Sequence, residues 1–209
     1  RQFGLDQISR DLVGFGTQPI DYDNDRDTDL VVANGHLDNA VSIRGNFAQP
    51  MQLLCNQGRR FQLLDVSDQT AYLGTPHVGR SLAILDFDRD GLTDVVMTNI
   101  EEPSALLLNR TDTSNHWLQL ELVGIASDRD AVGAEVILRG PRRTQHAWNV
   151  AGDGYLCSNE GVVSFGLGGD EAVYRLTVLW PDGTQQSFAD VAADQRILVI
   201  QGQASVFQQ

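Results

Sequence analysis

The chain has 209 residues, 15 basic against 28 acidic side chains and a net charge of −13, and every basic residue is an arginine. A surface this acidic repels nucleic acid and anionic lipid, so neither is expected as a partner. No apolar run approaches the roughly 18 residues of a membrane-spanning helix, no signal peptide is expected, and a start at Arg1 reads as a cut from something longer.

The first element is half of a duplication. VGFGTQPIDYDNDRDTDLVVAN (13–34) aligns without gaps on VGRSLAILDFDRDGLTDVVMTN (78–99), at a constant offset of 65 positions. Agreement extends beyond the aspartates, to Val13-Gly14 on Val78-Gly79 and Asn34 on Asn99, so a whole structural unit is repeated. Each copy reads as strand, acidic turn, strand, because the flanking aliphatic runs are too short and too β-branched for a helix. A third strand is expected after each, at QLLCNQG (52–58) and ALLLN (105–109), and a turn or two of helix between the copies, around Asp65 to Tyr72.

The acidic turns hold nine of the 28 acids in DYDNDRDTD (21–29) and DFDRDGLTD (86–94). Carboxylates this close repel one another unless a positive charge sits among them. Aspartates at positions one, three, five and nine, with a backbone carbonyl at seven, make the oxygen-rich shell that calcium takes. The expected ligands are Asp86, Asp88, Asp90 and Asp94 with the Leu92 carbonyl, and Asp21, Asp23, Asp25 and Asp29 with the Asp27 carbonyl. Gly91 at position six supplies a sharp bend, whereas the first loop has Arg26 there, so that loop is expected to be weaker or distorted. The Asp27 side chain is expected in solvent near Arg26. Position twelve is Val32 or Met97, not glutamate, and strands flank both loops, so these are not EF-hands. Magnesium fits a crowded carboxylate cage less well than calcium.

A boundary is expected near residues 110–115. Beyond it His116 to Leu122 alternates like a half-buried strand, Ala134 to Leu138 does so loosely, residues 173–188 give two strands around the turn Pro181-Asp182-Gly183, and Ile197 to Ile200 makes a last buried strand. FGLGGDE (165–171) does not fit a phosphate loop and reads as a tight turn. The four histidines form no ligand spacing, Glu101-Glu102 reads as a solvated turn, and the sequon Asn109-Arg110-Thr111 as chance. Asp153, Tyr155 and Glu160 mark a glycine-rich loop that is a candidate for binding. Cys55 and Cys157 are read as buried free thiols, with a pair between them the alternative.

Strand, D-x-D-x-D-G-x-x-D, then aliphatic strand resembles the FG-GAP or VCBS repeat, the blade of integrin-type β-propellers. The segments NHWLQLELVGIASDRDAVGAEVILR (115–139), GDGYLCSNEGVVSFGLGG (152–169), RLTVLWPDGTQQSF (175–188) and DVAADQRILVI (190–200) resemble the ASPIC/UnbV domain. The combination is similar to the acidic cartilage protein family and its bacterial relatives. The resemblance implies an all-β chain: partial propeller blades over residues 1–110, then a small β-sandwich-like ASPIC/UnbV domain over 111–209. It also implies a secreted, cell-surface or periplasmic protein whose blades are stapled by two calcium ions. The expected function is recognition or adhesion toward a protein or glycan ligand, without catalysis. Remaining blades or another copy are expected to cover the open edges. The alternative is a non-catalytic fragment of, or cap on, a polysaccharide-active propeller enzyme.

Overall fold

The computed structural model describes residues 3–37, 46–65 and 72–209. These form an all-β structure of four sheets with a single-turn helix, α1 (Leu5–Ile8). The expected helical turn around Asp65 to Tyr72 lies mostly outside the described residues.

The duplicated segments fold alike. In the first, β1 (Gly14–Ile20), β2 (Asp29–Asn34), β3 (Gln52–Asn56) and β4 (Phe61–Leu63) pair in chain order. In the second, β5 (Gly79–Leu85), β6 (Asp94–Asn99) and β7 (Ala105–Leu107) do the same. Even the irregularities repeat. The register slips between Gly14 and Thr17 in one hairpin and between Gly79 and Leu82 in the other, so that Thr17 faces Val32 and Leu82 faces Met97. The two sheets share one apolar cluster, Ile20, Val31 and Ala33 from the first with Leu82, Val95 and Met97 from the second. At about 1.5–3 kcal/mol for each large aliphatic side chain buried, this shared core holds the two hairpins together.

The rest of the chain supplies β8 (His116–Val123), β9 (Glu135–Arg139), β10 (Thr144–Trp148), β11 (Val162–Gly168), β12 (Ala172–Leu179), β13 (Gln185–Ala192), β14 (Gln195–Ile200) and β15 (Phe207–Gln208). They form sheets of order β10-β9-β12-β13 and β11-β8-β14-β15, antiparallel except where β14 runs parallel to β8. The alternation in β8 aims Leu118, Leu120 and Leu122 inward against Val136, Leu138, Leu176 and Val178 of the other sheet. One core between two sheets makes a sandwich, and neither sheet closes on itself.

Three features depart from expectation. Strands β4 and β10 carry little alternation of their own and draw their stability from pairing with β3 and β9. Residues Phe165 to Gly168 are not a tight turn but the end of β11; the chain turns afterwards, where the Asp170 amide donates to Leu167 O (3.1 Å). Their glycines serve close approach, described below. The cysteines are free but only half-buried: Cys55 lies beside the Tyr22 hydroxyl (3.8 Å), and Cys157 donates to Leu82 O (3.3 Å).

The N-terminal sheets lie against the C-terminal unit through residues 153–160. The Ile84 amide donates to Asn159 Oδ1 (2.9 Å), the Glu160 amide to Ile84 O (3.1 Å) and Asn159 Nδ2 to the buried Gln18 (3.1 Å). The glycine-rich loop thus acts as mortar between units.

Candidate metal centres

Each acidic turn caps one hairpin and organises itself by the same hydrogen bonds. Asp21 accepts from the amides of Asp25 and Arg26 (both 2.9 Å), and Asp86 from those of Asp90 (3.1 Å) and Gly91 (2.9 Å). At the far end Asp29 accepts from the amides of Tyr22 (3.4 Å) and Asn56 (2.7 Å), and Asp94 from those of Phe87 (2.8 Å) and Asn109 (2.7 Å). Asn56, the last residue of β3, and Asn109, two residues after β7, were not among the candidates. The shared Leu-x-Asn ending of QLLCN and ALLLN is the signal that marks them.

Position six has the same left-handed backbone in both loops, φ 81° at Arg26 and 87° at Gly91. The first turn is therefore not distorted there. From that conformation the Arg26 guanidinium reaches Asp170 of the C-terminal unit (2.6 Å), with both side chains about nine-tenths buried. Gly91 has a second reason to lack a side chain: a Cβ would lie 2.0 Å from the Trp117 ring. Asp27 faces Arg143 (3.4 Å), which also donates to Arg26 O (2.9 Å).

Asp21, Asp23 and Asp29 bring ligand oxygens within 4.8 Å of one another, as do Asp86, Asp88 and Asp94. Asp25 and Asp90 stand outside these triads, each accepting a turn bond from the amide two residues on, that of Asp27 (2.7 Å) or Leu92 (2.9 Å). Asp27 and Leu92 themselves remain the expected source of carbonyl ligands. Burial pushes the Asp21 carboxyl up to about 7 and Asp29 up to about 6, with neighbouring carboxylates adding to the rise. Burial likewise raises Asp23 and Asp94. Three carboxylates converging where burial already penalises their charge are a donor set suited to a hard divalent cation. At the second turn Arg110 offers partial neutralisation, touching Asp88 (2.5 Å) and Asp90 (2.9 Å).

The histidines are dispersed in structural contacts: His77 with Glu102 (2.5 Å), His116 with Asp194 (2.6 Å) and His146 with Glu135 (2.8 Å). A cavity of about 110 Å³ lies at the junction of the two units, with Asp86, Asp153 and Glu160 among its lining. Each of these carboxylates is engaged: Glu160 with Arg196 (2.7 Å) and the Asp86 amide (3.1 Å), Asp153 with Asn159 (2.8 Å), and Asp86 with the amides of its own turn.

Residues 124–206 match the protein family model described as ASPIC and UnbV, which supports that assignment for the C-terminal unit. Cartilage acidic protein 1 of Xenopus tropicalis is 31% identical over 173 residues, 78% of this chain. The proteins of that name from Mus musculus and Homo sapiens are each 28% identical over 171 residues, 80% of the chain. The chain spans about a quarter of the length of these curated relatives, 25% in each case. The similarity runs through most of the chain and is not confined to the C-terminal unit. No helix among the described residues is long and apolar enough to cross a membrane.

Proposed function

We propose that this chain is a calcium-binding module of an extracellular recognition or adhesion protein. Its two N-terminal sheets act as propeller-type blades of the FG-GAP/VCBS kind, each pinned by one ion, with the ASPIC/UnbV domain seated against them. The observation that carries this reading is the duplication of the Asp21-Asp23-Asp29 triad as Asp86-Asp88-Asp94, on hairpins with the same register slip and the same amide bonds. A merely solvated acidic turn has no need to repeat its internal hydrogen bonds 65 residues later.

Calcium, when bound, would supply the positive charge, and the carboxylates of each turn would supply oxygen ligands to it. The chain's own part is to hold Asp21 or Asp86 by two amides and Asp29 or Asp94 by two more, so that the carboxylates converge before the ion arrives. The ion ties the end of one strand to the start of the next, a structural and not a catalytic task. Extracellular or periplasmic placement accords with this, because millimolar calcium there fills even weak sites. The ligand recognised is a protein or glycan surface, and further blades or another copy cover the open sheet edges.

Thermal unfolding in calcium and in chelator tests the reading. An ion at a hundredfold excess over Kd stabilises the folded state by about 2.7 kcal/mol per site. For a chain of this size that raises the melting temperature by about 5–10 °C per site. Asp23→Ala and Asp88→Ala should each lose one site's share. Equal melting temperatures of the wild type in the two buffers would defeat the proposal.

A further inference from the structure

We infer that both metal centres are composite, with the outer face of the β11–β8 strand pair forming part of each, so that ion binding in the turns and seating of the C-terminal unit are one linked equilibrium. The inference rests on the calcium reading above but concerns different residues.

Gln119 is the starting point. Its neighbours Leu118 and Leu120 point into the sandwich core, so Gln119 belongs to the opposite, outward face of β8, where a polar residue ordinarily meets water. Instead it is only 2% exposed, and its Nε2 donates to Asp86 Oδ2 (2.8 Å). Its Oε1 is buried with no hydrogen-bond partner, so the Asp86 contact is what orients the amide.

The same face makes the matching contact with the other turn. Trp117, two residues before Gln119, covers Gly91 of the second loop. Across the ladder from Trp117 stands Gly166, where a Cβ would lie 2.1 Å from Asp21 Oδ2. Two residues further on, the Gly168 amide donates to Asn24 O (2.9 Å). The connector adds Thr113 (3.1 Å) and Asn115 (2.9 Å), both donating to Asp23 O. Asn24 Nδ2 also donates to Gly91 O (3.1 Å), joining the two turns to each other. Thus the position-one aspartate of each loop meets one strand of the same pair, Asp86 through β8 and Asp21 through β11.

Two physical consequences follow. Partners that orient a carboxylate ligand without touching the ion typically account for about 10–100-fold in affinity. Seating the sheet also removes water from Asp21 and Asp86, which costs free energy while their charge is uncompensated and costs less once a cation neutralises them. By linkage, whatever factor docking adds to ion affinity, the ion adds to docking. Calcium then secures the joint between units as well as each hairpin.

The test uses the full chain with calcium alone as the probe. Gln119→Leu removes the donor at nearly constant volume, and Gly166→Ala intrudes on Asp21. Gln119→Leu is titrated in an Asp23→Ala background, which isolates the second site, and Gly166→Ala in an Asp88→Ala background, which isolates the first. Each should weaken calcium binding about tenfold, and the calcium concentration that protects connector residues 108–115 from limited proteolysis should rise by a similar factor. Gln119→Leu made alone should weaken the second site more than the first, which feels the substitution only through the shared seating of the C-terminal unit, a gradient that general destabilisation would not produce. If Gly166→Ala does not fold, the glutamine variant decides the matter. Unchanged affinity and unchanged protection in Gln119→Leu overturn the inference while leaving the calcium reading intact. A wild type that binds no calcium overturns both.

Discussion

Replacing Arg26 with glycine pits backbone strain against a buried ion pair, and the magnitudes decide the outcome. At φ 81° a non-glycine residue carries left-handed strain of about 1–2 kcal/mol, which Arg26→Gly relieves. The substitution also strips Asp170, 8% exposed in its side chain, of its close partner, leaving only Arg142 at 3.7 Å. Breaking a buried pair costs about 3–5 kcal/mol. The 2.6 Å contact lacks aligned hydrogen bonds, since Arg26 Nε and Nη2 find no acceptor in good geometry, which places the cost near the low end of that range. Glycine's extra freedom in the unfolded chain adds about 0.4–1 kcal/mol to the loss. The ion pair wins, and Arg26→Gly should destabilise by about 2 kcal/mol, lowering the melting temperature by about 4–8 °C. Scanning calorimetry in saturating calcium measures this, with Asp170→Asn as a second arm that should make Arg26→Gly less costly. A glycine variant as stable as the wild type, or more stable, would refute the account of why arginine stands there.

Further outcomes follow from the same contacts. In ion-free protein burial holds the folded-state carboxyls of Asp21 and Asp29, at about 7 and about 6, above the ordinary aspartate value of 3.8. The folded state then binds more protons than the unfolded one, so stability in chelator should fall as pH rises from about 4 to about 7; melting curves at pH 5 and pH 8 in chelator check the sign. Calcium requires the deprotonated carboxylates, so its affinity at the first site should weaken as pH falls from 8 to 6, as seen by calorimetric titration of Asp88→Ala. Arg110→Gln removes a cation that competes for Asp88 and Asp90, so it should tighten the second site a few-fold in low salt and less in high salt. Gly91→Ala should abolish that site or the fold around it, since its Cβ would enter the Trp117 ring at 2.0 Å; far-UV circular dichroism with calcium titration separates the two.

The repeat could be read because it is written twice. Residues 13–34 and 78–99 share spacing and apolar pattern, and the strands they form share bounds and bulge. The aspartates at positions one, three and nine converge as expected, whereas those at position five turn to the amide two residues on. What stayed hidden depends on neighbours distant in sequence. Gln119 looks like any outward polar residue of an alternating strand, and only the layer beyond it turns it into a partner of Asp86. The glycines of FGLGG resemble a turn because glycine marks both turns and close approach, and here Gly166 and Gly168 lie in a strand beneath the first acidic loop. Arg26 departs from the glycine preference because its side chain has an acidic partner 144 positions away (26 to 170) that local spacing cannot reveal.

The most direct measurement is calorimetric titration of the chelator-treated chain with calcium, alongside Asp23→Ala and Asp88→Ala. The account predicts two ions per wild-type chain and one in each variant. A wild type that takes up no calcium, or variants that retain both ions, would contradict it.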